Sequence, residues 1–185
     1  ALKAIKKEFA NIRSALSWSI SQSELMEIRF QMAACLYFYW LHEGNLDEGI
    51  HWLQKVMSSH EGDHHVDSIR VLHGIGVLHW IIGKREESYS YALQSVEEAK
   101  KLGSHDLLAT NLRLLVQILL YQEHRDRAEN IAEQSVQYAR EQEDKWNLAS
   151  SLSCLGNVLF LQEKLLQAEE MLKESATLFE EIKDY

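Results

Sequence analysis

The sequence predicts an all-α protein, and three observations carry that reading. Proline is absent from all 185 residues, where average usage of about 5% gives roughly nine. A proline inside a helix costs ~3 kcal/mol through its missing N–H and its ring clash, so a chain without one is free to be helical throughout. Apolar residues recur at the i, i+3, i+4, i+7 spacing of a single helix face, as in Leu152, Leu155 and Leu159. The chain also repeats itself. Leu72, Leu112 and Leu152 are equivalent, and so are Ser88, Ala128 and Ala168, at an offset of 40 residues each time. A more divergent copy, with Gly49 and Leu53 in the matching places, precedes them at an offset of 39.

The elements follow in order from these periods. Residues 2–20 read as a helix, either a half-repeat or a cap, whose first residues, from Ala1 to Glu8, are amphipathic rather than hydrophobic. Four pairs follow: 24–43 with 46–61, 66–83 with 85–102, 106–123 with 125–143, and 146–163 with 165–183. Asn45 and Glu48 have the spacing of a capping box at the start of a second-arm helix. Gly62 and Gly103 read as helix C-caps. Gly49, Ser88, Ala128 and Ala168 share one place early in each second arm, where only a small side chain fits beneath a closely crossing helix. Gly76 and Gly156 face them from the first arms; Tyr37 and Val116 stand there in the other copies, so those pairs are expected to be spaced more widely.

These hairpins resemble tetratricopeptide repeats: a large apolar residue, then Leu-Gly, then a small Ala, then an aromatic or aliphatic, then another small residue. The resemblance covers residues 30–185 and departs from the family in a period near 40 rather than 34 and in lacking the closing proline. It implies a right-handed superhelix of about four helical hairpins plus the N-terminal helix, since one pair alone cannot bury its apolar face. The single repeat domain 1–185 then divides into 1–22, 23–64, 65–104, 105–144 and 145–185.

Composition narrows the functions. Lys and Arg number 19 against 28 Asp and Glu, a net charge of −9, which argues against nucleic acid as the partner of this segment. Two cysteines, Cys35 and Cys154, do not make a disulfide scaffold, and a reducing, cytoplasmic setting is expected. No apolar run approaches the ~18 residues of a membrane span. The start at Ala1 rather than Met leads us to expect a segment of a longer protein.

The N-terminal half carries a second resemblance. Glu8, Asn11, Arg13, Ala15, Leu16 and Trp18, followed by Trp40, Gly44, Glu48, Gly49, Trp52 and Leu53, are similar to the segment that joins ATPase to repeats in bacterial STAND-type regulators. These include the LuxR-like and antibiotic-regulator (SARP) families. The resemblance implies a sensor arm whose ligand shifts a balance between closed ADP and open ATP forms. The ATP site itself is expected elsewhere. Gly83 and Lys84 are the sole Gly-Lys pair, with Leu78 where a P-loop needs its first glycine and Arg85 where it needs Ser or Thr.

Catalysis finds little support. His60, Glu61 and His64 fit His-Glu-x-x-His, but Gly62 is read as a helix end between the two imidazoles, and Asp67 and Arg70 stand where the extended zinc motif needs Gly and His. A polar inter-repeat turn is the expectation, with His60, His64 and His65 able at most to bind metal adventitiously. No Gly-x-Ser-x-Gly occurs, and both cysteines read as structural. We expect neither an enzyme nor a cofactor.

The tetratricopeptide resemblance places positions 2, 5, 9 and 12 of each first arm on a concave groove. These are Gln31, Ala34, Phe38 and Leu41; Arg70, His73, Val77 and Trp80; Thr110, Arg113, Gln117 and Leu120; and Ser150, Ser153, Asn157 and Phe160. Arg70, His73 and Arg113 read as a cationic spot suited to a carboxylate, and Gln117 and Asn157 as partners for an extended peptide backbone. Val77 and Trp80 offer apolar contact, although Trp80, Leu120 and Phe160 equally suit an inter-repeat core. The acidic runs at 97–98, 141–144, 169–170 and 180–181 read as a solvated convex face. The expected function is a non-catalytic sensor or scaffold binding a protein, peptide or small-molecule inducer, with a stand-alone peptide receptor as the alternative. Self-association through exposed repeat ends is also expected.

Overall fold

The computed structural model describes residues 2–59 and 65–183. Among them the chain forms α1 (Leu2–Ile20), a 3-10 turn (Ser23–Leu25), α2 (Met26–Glu43), α3 (Leu46–Met57), α4 (Val66–Ile81), α5 (Arg85–Leu102), α6 (His105–Tyr121), α7 (Arg125–Arg140), α8 (Lys145–Leu161) and α9 (Leu165–Lys183). The all-α hairpin organisation is as the periodicity predicts. The chain divides into two compact units, Ala1–Tyr91 and Ala92–Tyr185, with the division inside α5.

In the first unit, α1 lays Leu16 on a core of Phe30, Trp40, Leu53, Val56, Ile75 and Leu78. Phe9 stacks on Tyr39 with centroids 4.5 Å apart. Arg29 is buried in the same unit, and among the described residues its partners are carbonyls. Its guanidinium donates to the carbonyls of Ser19 (3.3 Å), Gln22 (3.1 Å) and Ser59 (3.0 Å). It thereby closes the C-terminal ends of α1 and α3, where orphan carbonyls and the negative helix pole favour a cation.

The small-residue positions are buried as expected: Gly49, Ser88, Ala128 and Ala168. A Cβ at Gly49 would stand 2.8 Å from Trp40 Cβ, and one at Gly156 would stand 2.7 Å from Leu172 Cγ. Ser88 donates to the Gly76 carbonyl at 2.9 Å across the α4–α5 crossing. In the second unit a cross-helix bond recurs one repeat apart: Ser135 donates to Ala109 O (2.9 Å) and Ser175 to Ala149 O (2.7 Å). Tyr37, expected to spread α2 from α3, instead turns its ring toward Gly74 of α4. Burial pushes its phenol pKa up to about 12.

Two local expectations are corrected. α3 ends at Met57 rather than residue 61. The hydroxyls of Ser58 and Ser59 fold back onto Lys55 O and Val56 O, competing with continuation of the helix. Asn45 makes no side-chain cap, because Glu48 is drawn to Arg13 at 3.1 Å instead of reaching back to the N-cap. The acidic runs are mostly exposed, as expected of a solvated face, and several carry surface ion pairs: Glu98 with Lys101, Glu141 with His105, Glu169 with Lys173 and Glu181 with Lys145. Gly103 does cap α5 at φ 68°, with Ser104 N–H bonded to Ala99 O. Gly62 lies outside the described residues.

The turn within each hairpin uses one left-handed residue, at Gly44, Gly83, Glu123 and Glu163, with φ of 78°, 84°, 61° and 63°. The residue after it closes the helix in three of them, by Lys84 N–H to His79 O, His124 N–H to Leu119 O and Lys164 N–H to Leu159 O. This is the Schellman arrangement. Two glutamates therefore occupy a conformation that costs an L-residue about 1 kcal/mol more than glycine.

Two outcomes follow. Glu123→Gly and Glu163→Gly each raise stability by up to about 1 kcal/mol in urea unfolding, a gain that an ordinary exposed helical site would not give. Arg29→Met lowers stability by about 3 kcal/mol, because three carbonyls lose a charged donor; an unchanged midpoint would show that the guanidinium contributes nothing there.

Candidate functional site

The first-arm helices alternate covered and open positions as a groove requires. On α6, Leu114, Leu115, Val116, Ile118 and Leu119 are buried, whereas Arg113 and Leu120 are half-buried and Gln117 is exposed. On α8, Ser153 is half-buried and Asn157 and Phe160 are exposed, with Leu155, Gly156, Val158 and Leu159 buried between them. On α4, His73, Val77 and Trp80 are half-buried. Phe160, at 60% exposure, is not core, in contrast to one of its two readings. Trp80 is covered by the Arg85 guanidinium, 3.9 Å above its ring.

In the second unit the expected residues converge. A cavity of about 310 Å³ is lined by Arg113, Gln117 and Leu120 of α6, by Ser150, Ser153, Cys154 and Asn157 of α8, and by Phe179 of α9. Among the described residues no acidic side chain lines it. In the first unit a more open hollow of about 610 Å³ is lined by Gln31, Ala34, Cys35 and Phe38 of α2 and by Asp67 and Arg70 of α4. There Arg70 is answered by Asp67 at 3.0 Å. His73 is absent from that lining; its ring meets Tyr37 edge-on at 6.2 Å.

Arg113 is set by a polar network that the sequence does not announce. Its Nη1 donates to Asn147 Oδ1 and to Ser151 Oγ (3.0 Å), and its Nη2 to Thr110 Oγ1 (3.4 Å). Asn147 in turn donates to Asp106 Oδ1 at 2.8 Å. Ser151 and Ser135 share a hydroxyl contact at 2.9 Å. Asp144 fixes the start of α8 by accepting from the N–H groups of Trp146 (2.9 Å) and Asn147 (3.1 Å). Thr110, expected in the groove, serves this network instead. Among the described residues the partners of Arg113 are amide, hydroxyl and carbonyl oxygens, and no carboxylate pairs with it directly. Burial lowers its pKa, opposed by the charges of Cys154, Asp106 and Asp144.

Cys154 and Phe179 line the cavity without having been singled out for it. Burial pushes the Cys154 thiol up to about 11, against the pull of Arg113. His60, Glu61 and His64 lie outside the described residues. Among the described residues no cluster of three His, Cys, Asp or Glu is placed to hold a metal. His65 opens α4 with Ser68 and packs edge-on against Phe30 at 4.9 Å. No helix among the described residues is long and apolar enough to cross a membrane.

The tetratricopeptide-repeat family profile matches residues 148–182, the last hairpin. No curated protein matches the chain. Among solved structures, BtubC (BKLC) from P. vanneervenii is similar with a TM-score of 0.80 at 14% identity, over 98% of this chain and 76% of that one. A Rap protein complexed with competence and sporulation factor has a TM-score of 0.73 at 16% identity, over 97% of this chain and 52% of that one. YrrB, described as a TPR protein with an unusual peptide-binding site, has a TM-score of 0.60 at 13% identity, over 96% of this chain and 82% of that one. At these identities the likeness establishes the fold: helical hairpins of the tetratricopeptide type.

The cysteines supply a direct check on the cavity. At pH 8 the exposed Cys35 reacts with iodoacetamide at least about tenfold faster than Cys154, whose thiolate fraction is suppressed. The Cys154 rate keeps rising toward pH 11. Equal rates at pH 8 would mean that Cys154 is not held in this enclosed setting.

Proposed function

We propose that this chain is a non-catalytic binding module whose groove takes an extended peptide or protein segment, with the cavity between α6 and α8 as its anchoring site. One observation carries the reading: that cavity gathers four neutral polar side chains and a guanidinium that, among the described residues, is paired with no carboxylate. Gln117 and Asn157 each offer a donor and an acceptor, the complement of a peptide unit in extended form. Arg113 supplies the positive pole for an acidic side chain or a terminal carboxylate. Leu120 and Phe179 give apolar contact beside them. In the first unit, Arg70, His73, Val77 and Trp80 hold the equivalent positions on α4 and are proposed as ligand contacts there. The peptide-binding site named for YrrB favours this class of ligand over a small molecule.

We read the module as the sensor arm of a STAND-type, ATP-dependent bacterial transcriptional regulator in the cytoplasm. The support is the N-terminal pattern, whose Leu16 and Trp40 are packed in one core and whose Arg13 pairs with Glu48. A stand-alone peptide receptor or scaffold uses the same groove without an ATPase.

Selection from a displayed heptapeptide library tests the binding reading. Selected peptides are expected to lose about tenfold in affinity with Gln117→Ala or Asn157→Ala, the ~1.4 kcal/mol of one good hydrogen bond, with helix content unchanged. Failure to select any peptide, or peptides indifferent to both changes, would sink it. The regulator reading fails if the intact protein keeps its signal response after residues 23–185 are deleted.

A further inference from the structure

Asn147, the third residue of α8, is buried and stands behind Arg113, outside the cavity lining. It separates two opposite charges. Its Oδ1 accepts from Arg113 Nη1, and its Nδ2 donates to Asp106 Oδ1 at 2.8 Å and to Asp106 O at 3.2 Å. A guanidinium has only donors and an ionised carboxylate only acceptors, so the two neighbours fix which way the amide points. No hydroxyl or carboxylate could serve both in this way with the same reach.

The chain itself displays the alternative. Two repeats earlier the place of Asn147 is held by Asp67, and there a guanidinium is taken directly: Arg70 donates to Asp67 at 3.0 Å. Aspartate and asparagine have the same shape. What differs is that one cancels a neighbouring arginine and the other holds it without cancelling it.

The clamp also selects which edge of the guanidinium is left over. Nη1 donates to Asn147 and Ser151, and Nη2 donates to Thr110. Among the described residues Nε–H and the second Nη2–H have no acceptor. These two hydrogens share one edge of the plane, the fork that a carboxylate takes with two parallel bonds. We propose that Asn147 is the positioning residue that makes the α6–α8 cavity a carboxylate subsite, by fixing Arg113 while keeping Asp106 one amide away from it. This rests on the cavity being the anchoring site of the groove, and it narrows what that site takes.

Cys154 lines the same cavity and can report what it attracts. Iodoacetate and iodoacetamide both alkylate a thiolate with loss of iodide, and they differ in charge. The ratio of their rates therefore cancels the thiolate fraction of Cys154. The chain carries a net charge of −9, which opposes the approach of an anion, so a raised ratio at Cys154 marks a local positive site.

The iodoacetate-to-iodoacetamide rate ratio at Cys154, read by mass spectrometry, is expected to exceed that of 2-mercaptoethanol at least about tenfold. Arg113→Gln is expected to abolish the excess. So is the exchange Asp106→Asn with Asn147→Asp, which keeps composition and net charge but moves the carboxylate onto the guanidinium. Asn147→Ala, which removes the amide from between the charges, is expected to lower the ratio at least about threefold. Two competitors separate the sources of the carboxylate. N-acetylglutamic acid α-amide carries only a side-chain one and N-acetylalanylalanine only a terminal one, and the stronger inhibitor of the iodoacetate reaction identifies the source. A wild-type ratio no higher than the reference, an excess that survives the exchange in a folded protein or survives Asn147→Ala, or indifference to both competitors up to about 100 mM would each overturn the proposal. The probes are small acids, so a failure to select heptapeptides is a separate result from any of these.

Discussion

The architecture depends on one close crossing, repeated in every hairpin. At Gly49, Ser88, Ala128 and Ala168 the second arm comes so near its neighbours that a larger side chain has no room. At Gly49 the obstacle is the Trp40 Cβ, an atom fixed to the backbone, whereas at Gly156 it is the Leu172 side chain at its Cγ, with the Ala168 carbonyl 3.4 Å away. The crossing angle and depth set there decide which residues of the first arm are left uncovered. The serines reinforce it: Ser88, Ser135 and Ser175 each hand a hydroxyl proton to a carbonyl of the facing helix, so a small residue packs and satisfies the backbone at once.

Much of the fold was legible because its causes are periodic. Helix starts and ends in the second unit fall within three residues of the expected limits, since Gly103 and the 40-residue offset mark them. What was illegible is local competition. Asn45 and Glu48 have capping-box spacing, yet a remote guanidinium, Arg13, takes the carboxylate. Glu123 and Glu163 gave no hint of a left-handed turn. Their role emerges only when they are aligned with Gly44 and Gly83 and the backbone is seen. Tyr37 could be placed on a helix but not aimed, and its ring went to the neighbouring hairpin.

The site was legible to the same degree. Groove positions spaced along a helix face identified six of the eight residues that line the α6–α8 cavity, because their spacing is the cause of their shared direction. Cys154 and Phe179 were missed for different reasons. Cys154 adjoins the groove position Ser153 and reaches the cavity from the flank, and Phe179 comes from a second arm that the groove rule ignores. The expected cationic spot resolves into unlike parts. Arg70 is neutralised by Asp67, while Arg113 is held by Asn147, Ser151 and Thr110, so its side chain is pre-positioned by oxygen atoms that leave its charge formally uncancelled.

The polar ties have a kinetic side. Arg29 to Ser59, Arg140 to Glu174, Lys145 to Glu181 and Asn147 to Asp106 join residues 30, 34, 36 and 41 positions apart. Each spans about one repeat, so the loop that must close before any of them forms is short and much the same everywhere along the chain. Closure entropy grows only slowly with loop length, and these contacts demand none of the distant pairings that slow the folding of sheet proteins. Such a chain has no single obligatory nucleus. Order can begin at whichever hairpin is locally most stable and spread to its neighbours, and the speed of folding is then set by the best repeat rather than by the length of the molecule.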